Sequence, residues 1–208
     1  MSGVKIAVIV EGDGETTAVP ALIRRVGDLV GLSGRVHVDP VLRQPASKLV
    51  KPGELERHVE LAARKLGTPG GILVLLDCED HCPAELGPAL LERVRAARPD
   101  FPSSVVLAHR EYEVWFLASA SSLRGRRGLP LDLEIPSSPE AIRGCKEWLT
   151  RQLPHGVRYK ECDDQTALTS VFDLPLAIQN SPSFDKCWRD ITRLLRDVSA
   201  MTHATEEE

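Results

Sequence analysis

The chain has 208 residues, 42% hydrophobic and 27% charged, with a net charge of -4: enough for one α/β domain with an appended helical lobe, and the wrong sign for a protein that coats nucleic acid by charge alone. No segment approaches the roughly 20 apolar residues of a membrane span, and the N-terminal apolar stretch is too short for a signal peptide. The five cysteines are scattered with no CxxC pair, which argues against a zinc ribbon, a redox motif or a disulfide framework, so a cytoplasmic protein with no membrane association is expected.

Taken in chain order, Val4 to Val10 is short, β-branched and apolar on both faces, as a central parallel strand should be. Glu11-Gly12-Asp13-Gly14-Glu15 stops it. Thr16 or Thr17 is the expected cap of a helix over Ala18 to Leu32, with Pro20 in its first turn. Arg35 to Val41 alternates as a second strand, and Glu54 to Leu66 is amphipathic at helical spacing. Gly71 to Asp77 is the clearest buried strand. Ala84 to Ala97 then reads as helix and Ser104 to Ala108 as a fourth strand. This β-α-β-α-β-α-β order predicts an α/β, Rossmann-like fold: a mainly parallel sheet of about four strands with helices on both faces.

Beyond Ala108 a short helix is expected over Glu113 to Ala120, then a long loop over Ser121 to Pro139. Three helical patterns follow, Glu140 to Leu153, Gln165 to Ile178 and Phe184 to Val198. The organisation predicted is an α/β domain over 1–119, a helical lobe over 120–198 packed on it, and a flexible tail over 199–208.

Two acidic clusters close two of the strands. The first runs into Glu11-Gly12-Asp13-Gly14-Glu15 and the third into Asp77-Cys78-Glu79-Asp80. Ligands of open parallel sheets bind at the carboxyl ends of strands. If these strands are neighbours, the loops converge, and packed carboxylates need protons or cations between them. Hard oxygen donors of this kind suit Mg²⁺ or Mn²⁺. Gly12 and Gly14 permit a tight turn and the close approach of a substrate backbone. The helix that follows offers free N–H groups to an anion such as phosphate.

These residues carry a resemblance. Val10-Glu11-Gly12-Asp13-Gly14-Glu15-Thr16 resembles the first-strand motif of Toprim domains, especially the OLD-type nuclease branch with its Glu-Gly-x-x-Glu form. Leu75-Leu76-Asp77-Cys78-Glu79-Asp80 resembles the DxD motif that ends the third strand. The whole chain is also similar to an uncharacterised bacterial family of Toprim-like proteins, in Arg110-Glu111-Tyr112-Glu113-Val114-Trp115-Phe116-Leu117-Ala118, Asp164-Gln165 and Ser181-Pro182-Ser183-Phe184. The resemblance implies Glu11 as general acid/base, Asp77 and Glu79 as metal ligands and Glu15 as a second metal contact. The second carboxylate of the DxD motif is here a glutamate, one methylene longer, and Asp80 is the residue placed to compensate.

After the fourth strand, Glu113 is the better placed of Glu111 and Glu113 to reach the cluster, the alternative being an exposed helix start. Arg110, on the same rim, either binds phosphate bidentately or pairs with a carboxylate. Arg124, Arg126 and Arg127 are either a solvated loop or a contact for a nucleic-acid backbone. Trp115, Phe116 and Leu117 read as core, Cys78 as a structural thiol, and Lys160 as a possible neighbour of the site. The function expected is that of a Mg²⁺-dependent enzyme acting on phosphodiesters, a nuclease with DNA or RNA as substrate. Two rivals stand beside it: a binding or regulatory module working with an ATPase partner, and a small-molecule phosphotransferase or phosphatase.

Overall fold

A computed structural model describes residues 3–79 and 81–206 of the protein. Its elements are β1 (Val4–Val10), α1 (Glu15–Leu29), β2 (Val36–Arg43), α2 (Ala46–Leu49), α3 (Glu54–Leu66), β3 (Gly71–Cys78), α4 (Pro83–Ala97) and β4 (Ser103–His109). There follow α5 (Val114–Ala118), α6 (Cys145–Gln152), α7 (Thr166–Thr169), α8 (Leu174–Asn180) and α9 (Pro182–Glu206).

The strands form a parallel sheet in the order β2-β1-β3-β4, and the fold is α/β and Rossmann-like. Because β1 feeds β2 on one side and pairs with β3 on the other, the winding reverses between β1 and β3. That boundary is the switch point at which such sheets bind ligands.

Side chains alternate across the pleat. Ile6, Val8, Val10, Leu73, Leu75, Val106 and Ala108 pack into one apolar cluster with α1, α5 and α9. Ala7, Ile9, Ile72, Val74, Leu76, Val105 and Leu107 pack into the other with α3 and α4. With both faces covered, every β1 residue except Lys5 is buried, which is why that strand reads as a continuous apolar run. Pro40, which has no N–H for the ladder, sits where the β1–β2 register slips between Ile6 and Val8. This is on the edge strand, where proline is tolerated.

Several expected boundaries move. Helix α1 begins at Glu15, not Ala18, so Thr16 and Thr17 lie within its first turn and donate to the carbonyls of Asp13 and Gly14. Pro20 consequently falls in the second turn. The helix expected from Glu140 starts only at Cys145, because Gly144 turns the chain at φ 67°. The pattern from Gln165 to Ile178 is not one helix. A π-helical turn over Glu161–Gln165 leads into α7, and α8 starts afresh with Asp173 accepting from the Leu176 N–H at 2.8 Å. Pro175 could not donate within a continuous helix, so the restart is the natural solution. Over its described residues the tail expected to be flexible is helical: α9 continues to Glu206, with Thr202 buried and its hydroxyl on the Val198 carbonyl, while residues 207 and 208 lie outside the described residues.

The helical region does more than cover a rim, since α9 lies along the sheet itself. One apolar cluster runs from Val4 to Val198, so the boundary expected at residue 119 does not divide the core. Tyr112, Trp115, Phe116, Phe172 and Phe184 form a chain of ring contacts with centroids 4.7–5.7 Å apart. Trp115, Phe116 and Leu117 are core, as read. Arg25 of α1 donates to the carbonyls of Thr169 and Phe172 at 2.7 and 2.9 Å, pinning α1 to the segment after α7. Among the described residues, no helix is long and apolar enough to cross a membrane.

Candidate functional site

Val10 pairs with Leu75 across β1 and β3, so the two acidic loops leave the sheet side by side. They open into a cavity of about 670 Å³ lined by Glu11, Asp13, Glu15, Asp77 and Glu79, with Arg43, Lys146 and Glu161 completing the charged wall. Pro45, Ala46, Val50 and Leu86 form an apolar wall of the same cavity.

Each acid is placed by a local cause. Asp77 continues the row of Leu73 and Leu75 toward α5, where its Oδ1 accepts the Tyr112 N–H at 2.8 Å. Desolvation, then the nearby Glu15 and Glu113 charges, push its carboxyl well above the usual range. Glu15 folds back over its own loop, and its Oε2 accepts the N–H groups of Glu11 and Gly12 at 2.9 and 3.0 Å. These are the amides that an incoming anion would otherwise use, so Glu15 first of all fixes the loop. Burial raises its pKa, against the lowering effect of those two hydrogen bonds. Glu11 lines the cavity beside it, and Glu79 is exposed at the cavity edge. Asp80 lies outside the described residues.

Glu113 immediately precedes α5 and is fully buried. Its Oε1 accepts from the Tyr159 hydroxyl at 2.9 Å and from the Gln165 amide at 3.1 Å. Its Oε2 receives no hydrogen bond, and the nearest cation is the Lys146 ammonium at 4.0 Å. Desolvation pushes this carboxyl up to about 7. A buried carboxylate oxygen left without a donor is costly, and it marks a position suited to a cation.

Two residues that carry the site's charge balance are absent from the sequence reading. Lys146 donates to Glu161 at 2.8 Å. Burial alone would lower its pKa, but the facing Glu113, Glu161 and Asp77 reverse that and hold the ammonium protonated. Glu111 is the reason Lys146 is there: its carboxylate accepts the N–H groups of Cys145 and Lys146, at 3.1 and 3.4 Å, and so anchors the start of α6. Glu161 and Gln165 project from the π-helical turn, a local geometry frequent at functional sites.

Their docking also corrects the role expected of the glycines. A Cβ on Gly12 would stand 2.5 Å from Glu161 Oε1, and one on Gly14 would stand 2.5 Å from Gln165 Oε1 and 2.7 Å from the Glu161 carbonyl. The space they leave is filled by the protein's own chain rather than kept for a substrate backbone. The only hint in the sequence was the Tyr159-to-Gln165 stretch. There Lys160 is exposed, while its neighbours Tyr159 and Glu161 reach inward.

Arg110 does not line the cavity. It holds a left-handed φ of 71° at the end of β4, and its Nε donates to the Glu140 carbonyl at 3.3 Å. In the basic loop, Arg124 donates to the Leu133 carbonyl and Arg127 pairs with Asp164 at 2.7 Å, so two of its three guanidinium groups are held by the chain. Cys78 is buried with its thiol on the His81 carbonyl, a structural role. No three His, Cys, Asp or Glu groups of the described residues stand together at metal-holding distance.

The model of a family described as a domain of unknown function (DUF4276) matches residues 10–192. The chain belongs to this family. The DUF4276 span takes in every cavity residue named above, from Glu11 to Glu161, and so joins both acidic strand ends to the segment that supplies Lys146 and Glu161. No curated protein and no solved structure matches the chain.

Proposed function

We propose that the protein is a Mg²⁺- or Mn²⁺-dependent enzyme of the Toprim type that cleaves phosphodiesters, a nuclease of the cytoplasm with DNA or RNA as substrate. The observation that carries this reading is the meeting of Glu11, Glu15 and Asp77 around an open cavity at the switch point of a parallel sheet, with the buried, half-bonded Glu113 behind the cavity's Lys146. By type the donors suit a hard divalent cation, being all carboxylate oxygen with one buried oxygen left unbonded, but as they stand no three of the described groups lie at metal-holding distance, so binding requires their side chains to turn inward. Glu11, Asp77 and Glu113 would hold the ion, with Glu79 at the edge. Bound there, the metal would neutralise phosphate charge and lower the pKa of water.

The chain's own residues supply the rest. Glu11, on the cavity wall, is the group placed to move a proton. Glu15 holds the Glu11–Gly12 backbone, and Tyr112 holds Asp77. The five free cysteines, two of them exposed, support a reducing compartment. A small-molecule phosphatase shares this site, and a cavity of about 670 Å³ is of the size that takes a small ligand.

The test is cleavage of plasmid DNA, RNA and nucleoside monophosphates with and without Mn²⁺. Metal-dependent cleavage of a polymer is expected, with Glu11→Gln slower by about 10²- to 10⁴-fold, the worth of a positioned acid/base. Cleavage of monophosphates alone would select the phosphatase. No metal-dependent turnover of any of them would turn the reading toward the binding module with an ATPase partner.

A further inference from the structure

We propose that Glu161 is a further carboxylate ligand of the metal site, and that Lys146 is the site's resident counter-ion, displaced when a divalent cation enters. This rests on the metal reading above but adds a part of the site that lies far along the chain from both acidic strand ends.

The geometry that carries it is the sharing of one ammonium between two carboxylates. Glu161 Oε2 takes Lys146 at 2.8 Å, while Glu113 Oε2 sees the same ammonium at 4.0 Å and has no hydrogen-bond donor. Glu113 is fully buried, so its oxygen has no water to turn to. One monovalent cation thus satisfies one acid and leaves the other half-satisfied. A divalent ion binds oxygens at about 2.0–2.6 Å and draws on several at once. It therefore suits the pair better than an ammonium tethered to one side.

Glu161 is held where such an ion would need it. Its second oxygen lies against Gly12, at a spot that a Cβ on residue 12 would approach to 2.5 Å. It therefore lies over the loop that carries Glu11 and Glu15, and it lines the same cavity. Lys146 is free to leave. Its side chain is 35% exposed, and Glu111 holds only the backbone of α6 beneath it. Lysine is a point charge on a long flexible stem, so the ammonium can swing toward the cavity opening while α6 stays in place. Exchange needs no movement of the sheet.

The experiment is Mn²⁺ binding to the full chain, followed by electron paramagnetic resonance and calorimetry. Glu161→Gln keeps a hydrogen-bond acceptor for Lys146 and is expected to weaken Mn²⁺ binding by at least about tenfold. Lys146→Met removes the competing charge and is expected to tighten it by about tenfold. That direction is opposite to the effect of losing a merely structural lysine. Lys146→Arg, which keeps the charge and guards against misfolding of the methionine variant, should bind no more tightly than the wild type. Wild-type binding that neither Glu161→Gln nor Lys146→Met alters would overturn this inference and leave the metal reading intact. Absence of Mn²⁺ binding in the wild type and in Lys146→Met alike would remove both. Binding seen in Lys146→Met but not in the wild type would support the exchange.

Discussion

On the α3/α4 face of the sheet the core draws only on residues from Ala7 to Leu107, the first half of the chain. On the α1/α9 face the core collects residues from Val4 to Val198, holds Tyr112, Trp115, Phe116, Trp148, Phe172 and Phe184, and is closed by the last long helix. The first face is made of Leu, Val, Ile and Ala with Cys78 and, as its one aromatic side chain among the described residues, Phe101. The second carries the buried polar residues of the site, Glu15, Glu113 and Gln165. The face closed within the first half of the chain is plain scaffold. The face closed by the C-terminal half is where charge is buried: Glu15 is satisfied by its own loop, while Glu113 takes its partners from the distant Tyr159 and Gln165.

The largest expected effect tests the weight of the aromatic closure. Trp115 is fully buried, contacts Tyr112 and Phe184, and donates to Ser183 at 3.1 Å. Trp115→Ala is expected to cost about 3–5 kcal/mol in urea denaturation. A loss under about 1 kcal/mol would show that α9 is dispensable to the fold and that the comparison of faces is mistaken.

Next in size is the pH dependence that the buried acid imposes. Glu113 stands at about 7 in the folded protein against 4.5 for the ordinary side chain. Between those values the folded state holds more protons than the unfolded one. Metal-free stability therefore falls as pH rises across the window, by about 3 kcal/mol for this group, and the full cost remains above it. Glu113→Gln should flatten chemical-denaturation stability between pH 4.5 and 7 and raise it at pH 8. An unchanged slope in the variant would mean that Lys146 already cancels the charge.

The smallest effects sharpen the contrast with one substitution made on each face. Gly14→Ala drives a methyl into Gln165 and the Glu161 backbone, and should cost about 1–3 kcal/mol as overpacking. Gly87→Ala, inside α4, meets only Leu107 at 3.7 Å. It should stabilise by about 0.5–1 kcal/mol, since alanine is the better helix former. Thermal melts that moved in the same direction for both would contradict the assignment of Gly14 as a docking surface.

Much of the scaffold was legible in advance. Helix α3 was read at its observed bounds, and the strands were read to within two residues, because period and burial are local properties of the chain. The acids at the ends of β1 and β3 were legible too, since strand ends are where an apolar run stops. What failed did so for identifiable reasons. The helix read through Gln165 to Ile178 ignored Asp173 and Pro175, which restart it. The tail read as frayed is held by α9, whose buried face continues to Thr202. Arg110 was placed by its position after β4, but its guanidinium donates to the Glu140 carbonyl and does not line the cavity.

By itself the sequence determined the parallel α/β scaffold and the delivery of carboxylates to the ends of β1 and β3. Both follow from patterns confined to a few neighbouring residues. Only the tertiary structure decided that β1 and β3 are neighbours, that Glu15 closes its own loop, and that Gly12 and Gly14 make room for Glu161 and Gln165. It alone brought Lys146 to Glu113 and Glu161. A charge on a helix has no preferred partner until packing fixes where that helix starts, and here Glu111 at the head of α6 fixes it.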